Sequence, residues 1–289
     1  MQPHESKEFL DSEKWRIQAR EKRLATSGCI ASWIDICGFG NLLKQNEWDL
    51  NKSQDSGVTT LLNEVYFIAG RVLLPNVHPM PSEKIIVLND GIAKTVDLEY
   101  KHLLEGHIFL FFFRDSLFNH YYLLDITSRY GVGIRTVLAG GERVQFAAEK
   151  ITGHSMLYYN DEKISEYGQK LLNTQFVYNP SEFQMNTAFA KAYTIDSLGT
   201  KEGFEVNGLY IESTYFDRIR DIKDLTVDIG QYFIKLFLKG MLMFQLSIAC
   251  TLNRKIKGLR IKVYHIDHFQ IMKEFDGDDV DLKLFNLRK

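Results

Sequence analysis

Asp35 is the lone charge in Cys29-Ile-Ala-Ser-Trp-Ile-Asp-Ile-Cys37, a run that is otherwise apolar or small. An ionised carboxylate is costly to bury unless it is paired or bound to a metal. Gly38, Phe39 and Gly40 follow at once. Glycines there let backbone N–H groups come close to an anion, and a helix starting at that point adds partial positive charge. An acid that can hold a cation, beside a turn that can hold phosphates, points to a metal–nucleotide site. A second acid, Asp90, lies in Asn89-Asp90-Gly91 between two β-rich runs, a strong hairpin signal. Arg135 sits on an apolar strand pattern, and His154 follows Gly153 where a helical pattern opens.

Each of these residues also has a plainer reading. Asp35 could cap the helix beginning near Phe39, and Asp90 could be the residue such a turn prefers. Arg135 could read a nucleotide or pair with a core acid. His154 could touch a base or simply start a helix. Cys37 reads as a small packing residue, with no His partner near it in sequence.

The elements that would position these residues follow from periodicity. The spacing predicts a strand at 29–36, a short helix at 39–48, a loop at 49–57 and a helix at 58–73. Leu61, Leu62, Val65, Ile68 and Ala69 would share one face of the last. Pro75, Pro79 and Pro81 punctuate the connection to the hairpin. A long helix at 101–129 carries an aromatic stripe (Phe109, Phe112, Phe113, Phe118, Tyr121, Tyr122), expected in the core. Tyr130-Gly131-Val-Gly133 closes it, and a strand at 134–142 follows, with 144–147 continuing past a bend. Further expectations are helices at 154–167 and 181–198 and strands at 204–211 and 259–266. The stretch 229–252 fits either helix or strand. The order strand, helix, hairpin, helix, strand predicts an α+β fold, with an antiparallel-rich sheet and helices on one face.

Composition narrows the class. The chain has 289 residues, 45% of them hydrophobic, enough for a large core. Its net charge of −2 gives no electrostatic case for nucleic acid as the main partner. Three scattered cysteines argue against a disulfide framework and fit a reducing, cytoplasmic setting. The polar start is not a signal peptide. The apolar stretches 108–113 and 232–252 are too short or carry lysines, so no membrane span is expected. The expected organisation is a helical arm at 1–25, a main domain at 26–215 and an extension at 216–289 packed on that domain or on a dimer mate.

Ile34-Asp35-Ile36-Cys37-Gly38-Phe39 resembles the Asp-Ile-x-Gly-Phe element of class III nucleotidyl cyclases. Asn89-Asp90-Gly91 falls where that family carries its second metal-binding Asp. Arg135-Thr-Val-Leu-Ala-Gly-Gly141-Glu142 resembles the Arg-Gly-x-Ile-x-x-Gly-Glu strand of a bacterial branch, and Gly153-His154-Ser-Met resembles the Gly-led helix after it. The match covers roughly residues 28–170. It implies the ferredoxin-like cyclase fold, a homodimer with composite sites, and two divalent cations, Mn²⁺ or Mg²⁺. Asp35, Asp90 and the Ile36 carbonyl would ligate the metals. Cys37, Gly38, Phe39, Gly40, Arg135 and His154 would bind the nucleotide.

The departures matter as much. Ile86 and Asn89 stand where purine cyclases have Lys or Glu and Gly, His154 replaces the base-reading acid, and no Asn-x-x-x-Arg pair follows Gly153. These argue against purine readout and against a transferred transition-state arginine. The pattern is closer to the pyrimidine cyclases of bacterial anti-phage defence. The resemblance therefore implies a lyase making a cyclic pyrimidine monophosphate, with UTP first and CTP second. Its product would act on a downstream effector not in direct contact. A catalytically inactive cyclase-like module is the alternative. Gly140-Gly141-Glu142-Arg143 invites a diguanylate-cyclase reading, but Arg143 and Val144 stand where that family needs an acid and Phe.

Overall fold

The computed structural model describes residues 26–70, 83–98, 105–144, 181–271 and 284–287. The expectations for 1–25, the prolines at 75–81, the helix at 154–167 and His154 fall outside them. The larger of two compact units comprises Gly28–Gly141 and Thr187–Lys289. It is α+β, built on a mainly antiparallel ten-stranded sheet.

Strand β1 (Thr26–Cys37) divides its side chains by the strand period of two. Ile30, Ile34 and Ile36 enter the large apolar core, while Cys29, Ala31, Trp33 and Asp35 point the other way. Strands β2 (Glu83–Leu88) and β3 (Gly91–Asp97) form the expected hairpin, turned by Asn89 at φ 54°. Strand β4 (Gly133–Val144) lies on the other side of β1, and the order β2-β3-β1-β4 is the ferredoxin-like one.

The Ile face of β1 is covered by α1 (Phe39–Gln45), by α3 (Val58–Val65) with a π turn at Tyr66–Gly70, and by α4 (Glu105–Ser128), while α2 (Leu50–Asp55) links α1 to α3. Helix α2 replaces the loop expected at 49–57. The Asp49 carboxylate caps it, accepting from the N–H groups of Asn51 (2.8 Å) and Lys52 (3.2 Å). On α4, Phe109, Phe112 and Phe113 are buried as the stripe required, whereas Tyr122 is half exposed. The buried Lys94 ammonium of β3 donates to Asp115 of α4 at 2.8 Å.

Helix α5 (Thr187–Asp196) packs on the opposite face of β1, a second cover where the pattern predicts helices on one face. Ala188 meets Cys29 and Ala31, and the Phe189 and Tyr193 rings meet Trp33 at 6.1 and 5.2 Å. The small residues allow this approach. A Cβ on Gly141 would fall 2.5 Å from the Ala188 nitrogen.

Strand β5 (Leu209–Glu212) is parallel to β4 over three residue pairs and antiparallel to β9 (Leu259–Ile271). It is shorter than the expected 204–211 strand because the chain is still turning there. Asn207 has φ 67°, and the Glu205 N–H donates to the Tyr210 hydroxyl (2.6 Å). β6 (Leu225–Ile229), β7 (Phe233–Leu238) and β8 (Met241–Ile256) continue the sheet, and β10 (Leu284–Asn286) pairs with β9. The ambiguous 229–252 stretch is therefore strand, reversed by Lys239-Gly240 with φ of 51° and 78°. Among the described residues no helix is long and apolar enough to cross a membrane.

The smaller unit, Met1–Ser27 with Glu142–Asn186, is described at 26–27, 142–144 and 181–186. There the Val144 N–H donates to the Met185 carbonyl (3.3 Å), and Arg143 forms a β-bridge with Asn186.

Candidate active site

Strand register brings the two predicted acids together. Asp35 pairs with Gly91, and the Ile36 N–H donates to the Asp90 carbonyl at 3.0 Å. The hairpin turn thus sets Asp90 beside the end of β1. The Tyr66 hydroxyl donates to the Asn89 carbonyl (2.6 Å) and fastens the turn. Trp33 lies over Gly91 so closely that a Cβ there would sit 2.3 Å from the indole.

A third acid, Asp196 at the end of α5, joins them. Its carboxylate accepts from the Trp33 indole N–H (3.1 Å) and from an Arg135 Nη (2.9 Å). The same Nη donates to the Asp196 carbonyl (3.0 Å), and the Arg135 Nε donates to the Glu205 carbonyl (3.2 Å). Of the two readings of Arg135, the pairing with a core acid is the one present.

This crowding sets the electrostatics. Burial, then the charges of Asp196 and Asp90, push the Asp35 carboxyl up to about 7, against a smaller pull from Arg135. Burial also raises the carboxyl pKa of Asp90 and of Asp196. The Cys37 thiol is pushed up to about 12, chiefly by burial, and its sulfur lies 4.0 Å from the Asp35 carbonyl oxygen. A thiol held protonated in this way is a poor nucleophile.

Gly38 takes the left-handed conformation (φ 95°) and precedes α1 without any side-chain cap. Asp35 is therefore not the cap of that helix. The Asn41 N–H donates to the Gly38 carbonyl (2.9 Å), which leaves the N–H groups of Phe39 and Gly40, with no acceptor within the helix, to face an anion. Phe39 sends its ring into the core, so only its backbone can serve a ligand. Ile36 likewise buries its side chain and offers a carbonyl.

Among the described residues no three His, Cys, Asp or Glu side chains form a metal-binding group. Asp35 and Asp90 nonetheless suit a hard divalent cation. Both are oxygen donors, and burial together with the charges of Asp196 and Asp90 raises the cost of ionising Asp35, a cost that a bound cation would reverse. Asp196 already serves Arg135 and Trp33. A hollow of about 320 Å³ lies elsewhere, between α5 and the β8–β9 hairpin, and is not lined by any of the three acids.

Sequence reasoning missed Asp196. Its signal was available: an acid following Ala188, Ala192 and Ile195 on the buried stripe of a helix, the same anomaly that marks Asp35 on its strand.

Two acids at a strand–glycine–helix turn define a site suited to a divalent cation and an anion. No protein-family model and no curated protein sequence matches the chain. Solved structures that align with it include the guanylyl cyclase Cya2, at 10% identity over 90% of this chain and all of that one, TM-score 0.40. The guanylate cyclase domain of RhGC from Catenaria anguillulae in complex with GTP aligns at 10% identity over 84% and 97%, TM-score 0.42. The dimeric guanylyl cyclase domain of RhoGC from Blastocladiella emersonii aligns at 10% identity over 84% and 97%, TM-score 0.40. Likeness at this level does not define a shared fold.

Proposed function

We propose that this chain is a metal-dependent nucleotide cyclase. It would convert a pyrimidine ribonucleoside triphosphate, UTP before CTP, to its 3′,5′-cyclic monophosphate and pyrophosphate, as a signal in anti-phage defence. The observation that carries the reading is the register that seats Asp35 and Asp90 side by side at the mouth of the Gly38 turn. The motif resemblance supplies the pyrimidine and defence parts of it.

Asp35, Asp90 and the Ile36 carbonyl would hold two Mn²⁺ or Mg²⁺ ions. Bound there, the cations supply the charge that makes the ribose hydroxyl a better nucleophile and offsets charge on the departing pyrophosphate. The N–H groups of residues 37–40 bind the phosphates. Trp33 closes the floor of the site over Gly91, and half-exposed Tyr193 beside it offers a ring on which a base can stack. The Asp196–Arg135 pair fixes the end of α5, which carries that ring.

The purified chain is incubated with Mn²⁺ and each of the four ribonucleoside triphosphates, and products are read by mass spectrometry. A cyclic pyrimidine monophosphate is expected, lost in Asp35→Asn. Absence of any cyclic product from a folded, Mn²⁺-responsive protein would overturn the proposal. The commitment of Arg135 to Asp196 favours a second reading, a non-catalytic nucleotide-binding module. On that reading Asp35→Ala leaves the biological function intact.

A further inference from the structure

Beyond the reach of β5 and β7, Asn253–Ile256 and Leu259–Lys262 pair with each other as a two-stranded ribbon, whose base is held where the Ser213 N–H donates to the Lys262 carbonyl (2.8 Å). Residues 254–262, Arg-Lys-Ile-Lys-Gly-Leu-Arg-Ile-Lys, hold five cations and no acid in a chain of net charge −2. Arg254 is turned inward, donating from Nε and Nη2 to the Glu202 carbonyl (3.1 and 2.8 Å). Lys255, Lys257, Arg260 and Lys262 form no ion pair with any described residue. Lys262 rests its ammonium 5.1 Å above the Tyr264 ring.

The register sorts the two faces. Lys255 stands opposite Arg260, and Asn253 opposite Lys262, so these four share one face with Thr251, and all five are exposed. Like charges placed directly across an antiparallel pair destabilise it, and an anion lying between them removes that penalty. Side chains on one strand face recur about every 7 Å. The face is thus a row of unpaired cations flanked by an amide and a hydroxyl, the side-chain types that contact phosphates and sugars.

The apolar residues go the other way. Ile256, Leu259 and Ile261 turn toward Ala190, Thr194 and Ile195 of α5, where they line the hollow of about 320 Å³. A hairpin that docks on an anionic membrane needs its apolar and basic side chains on the same side. Here the register carries Lys255, Arg260 and Lys262 on the face away from those apolar side chains, with Lys257 at the turn reaching the hollow, and this split favours a hydrophilic polyanion.

We propose that the outer face of the β8–β9 ribbon binds the phosphodiester backbone of a nucleic acid, without reading bases. This stands apart from the acid site and does not depend on cyclase activity. The test measures fluorescence polarisation of a labelled 20-nucleotide RNA and a DNA duplex against the full chain, at 50 to 200 mM KCl. With three phosphates neutralised by Lys255, Arg260 and Lys262, log affinity is expected to fall against log salt with a slope of about −2 to −3. The double reversal Lys255→Glu with Arg260→Glu is expected to weaken binding about tenfold or more, and Lys52→Glu to leave it unchanged. Lys255→Thr is expected to raise the melting temperature of the free protein, because it removes the cross-strand repulsion. No polarisation change at 50 mM salt, binding indifferent to the double reversal, or ribbon-dependent binding confined to phosphatidylserine vesicles would each overturn the proposal.

Discussion

Burial and the neighbouring acids push the Asp35 carboxyl up to about 7, while the same carboxyl in the unfolded chain releases its proton near the ordinary value of 3.8. Between those values the unfolded state binds fewer protons, so stability falls as pH rises. Asp90 and Asp196, also raised, add in the same direction. The melting temperature of the metal-free protein is therefore expected to drop from pH 4 to pH 7, and Asp35→Asn to flatten that slope. Cation and proton compete for the same oxygens. Mn²⁺ should raise the melting temperature more at pH 8 than at pH 6, and the gain should vanish in Asp35→Asn; equal gains at both pH values would count against Asp35 as a ligand. Arg135 gives a second prediction. Asp196→Asn leaves a buried guanidinium without its counter-charge and is expected to cost about 3–5 kcal/mol in urea unfolding. Adding Arg135→Met should recover part of that loss.

Among the elements, the β1–β3 pairing with its hairpin turn does most to assemble the site, and Gly91 is its tightest point. A methyl at that position meets the Trp33 ring at 2.3 Å. Gly91→Ala is expected to destabilise by about 1–3 kcal/mol in urea unfolding and to weaken Mn²⁺ binding by moving Asp90 away from Asp35. This part of the molecule was legible from sequence because it is local. An apolar run, a glycine turn and an Asn-Asp-Gly hairpin each specify their own geometry, and register does the rest. Helix α2 was not legible because five of its six residues are polar, Leu50 alone makes no apolar period, and only Asp49 marks its start. Residues 229–252 stayed ambiguous because strand alternation and helical spacing both fit a rich apolar run, and only the Lys239-Gly240 reversal decides it. Asp196 was missed for a different reason. It lies 161 residues from Asp35, and its partner Arg135 comes from a strand whose neighbour in sequence gives no hint of α5.

For the whole molecule, the proposed cyclase has composite sites and so requires two copies of the chain. Light scattering is expected to report twice the chain mass, and a monomer that still makes product would refute composite sites. Net charge reports the sum and not the pattern. A total of −2 conceals a nine-residue stretch with five cations, because opposite charges elsewhere cancel it.

The ten strands are not stitched together evenly. Thr136, Val137 and Leu138 of β4 face Leu209, Tyr210 and Ile211 of β5, and those three pairs join two much wider half-sheets. Under load or partial denaturation the molecule has a fault line there. Amide hydrogens at 136–138 and 209–211 should exchange with deuterium sooner than those in the middle of β8 and β9. The two half-sheets would part along the strand that carries Arg135, so loss of the acid site should precede loss of the ribbon.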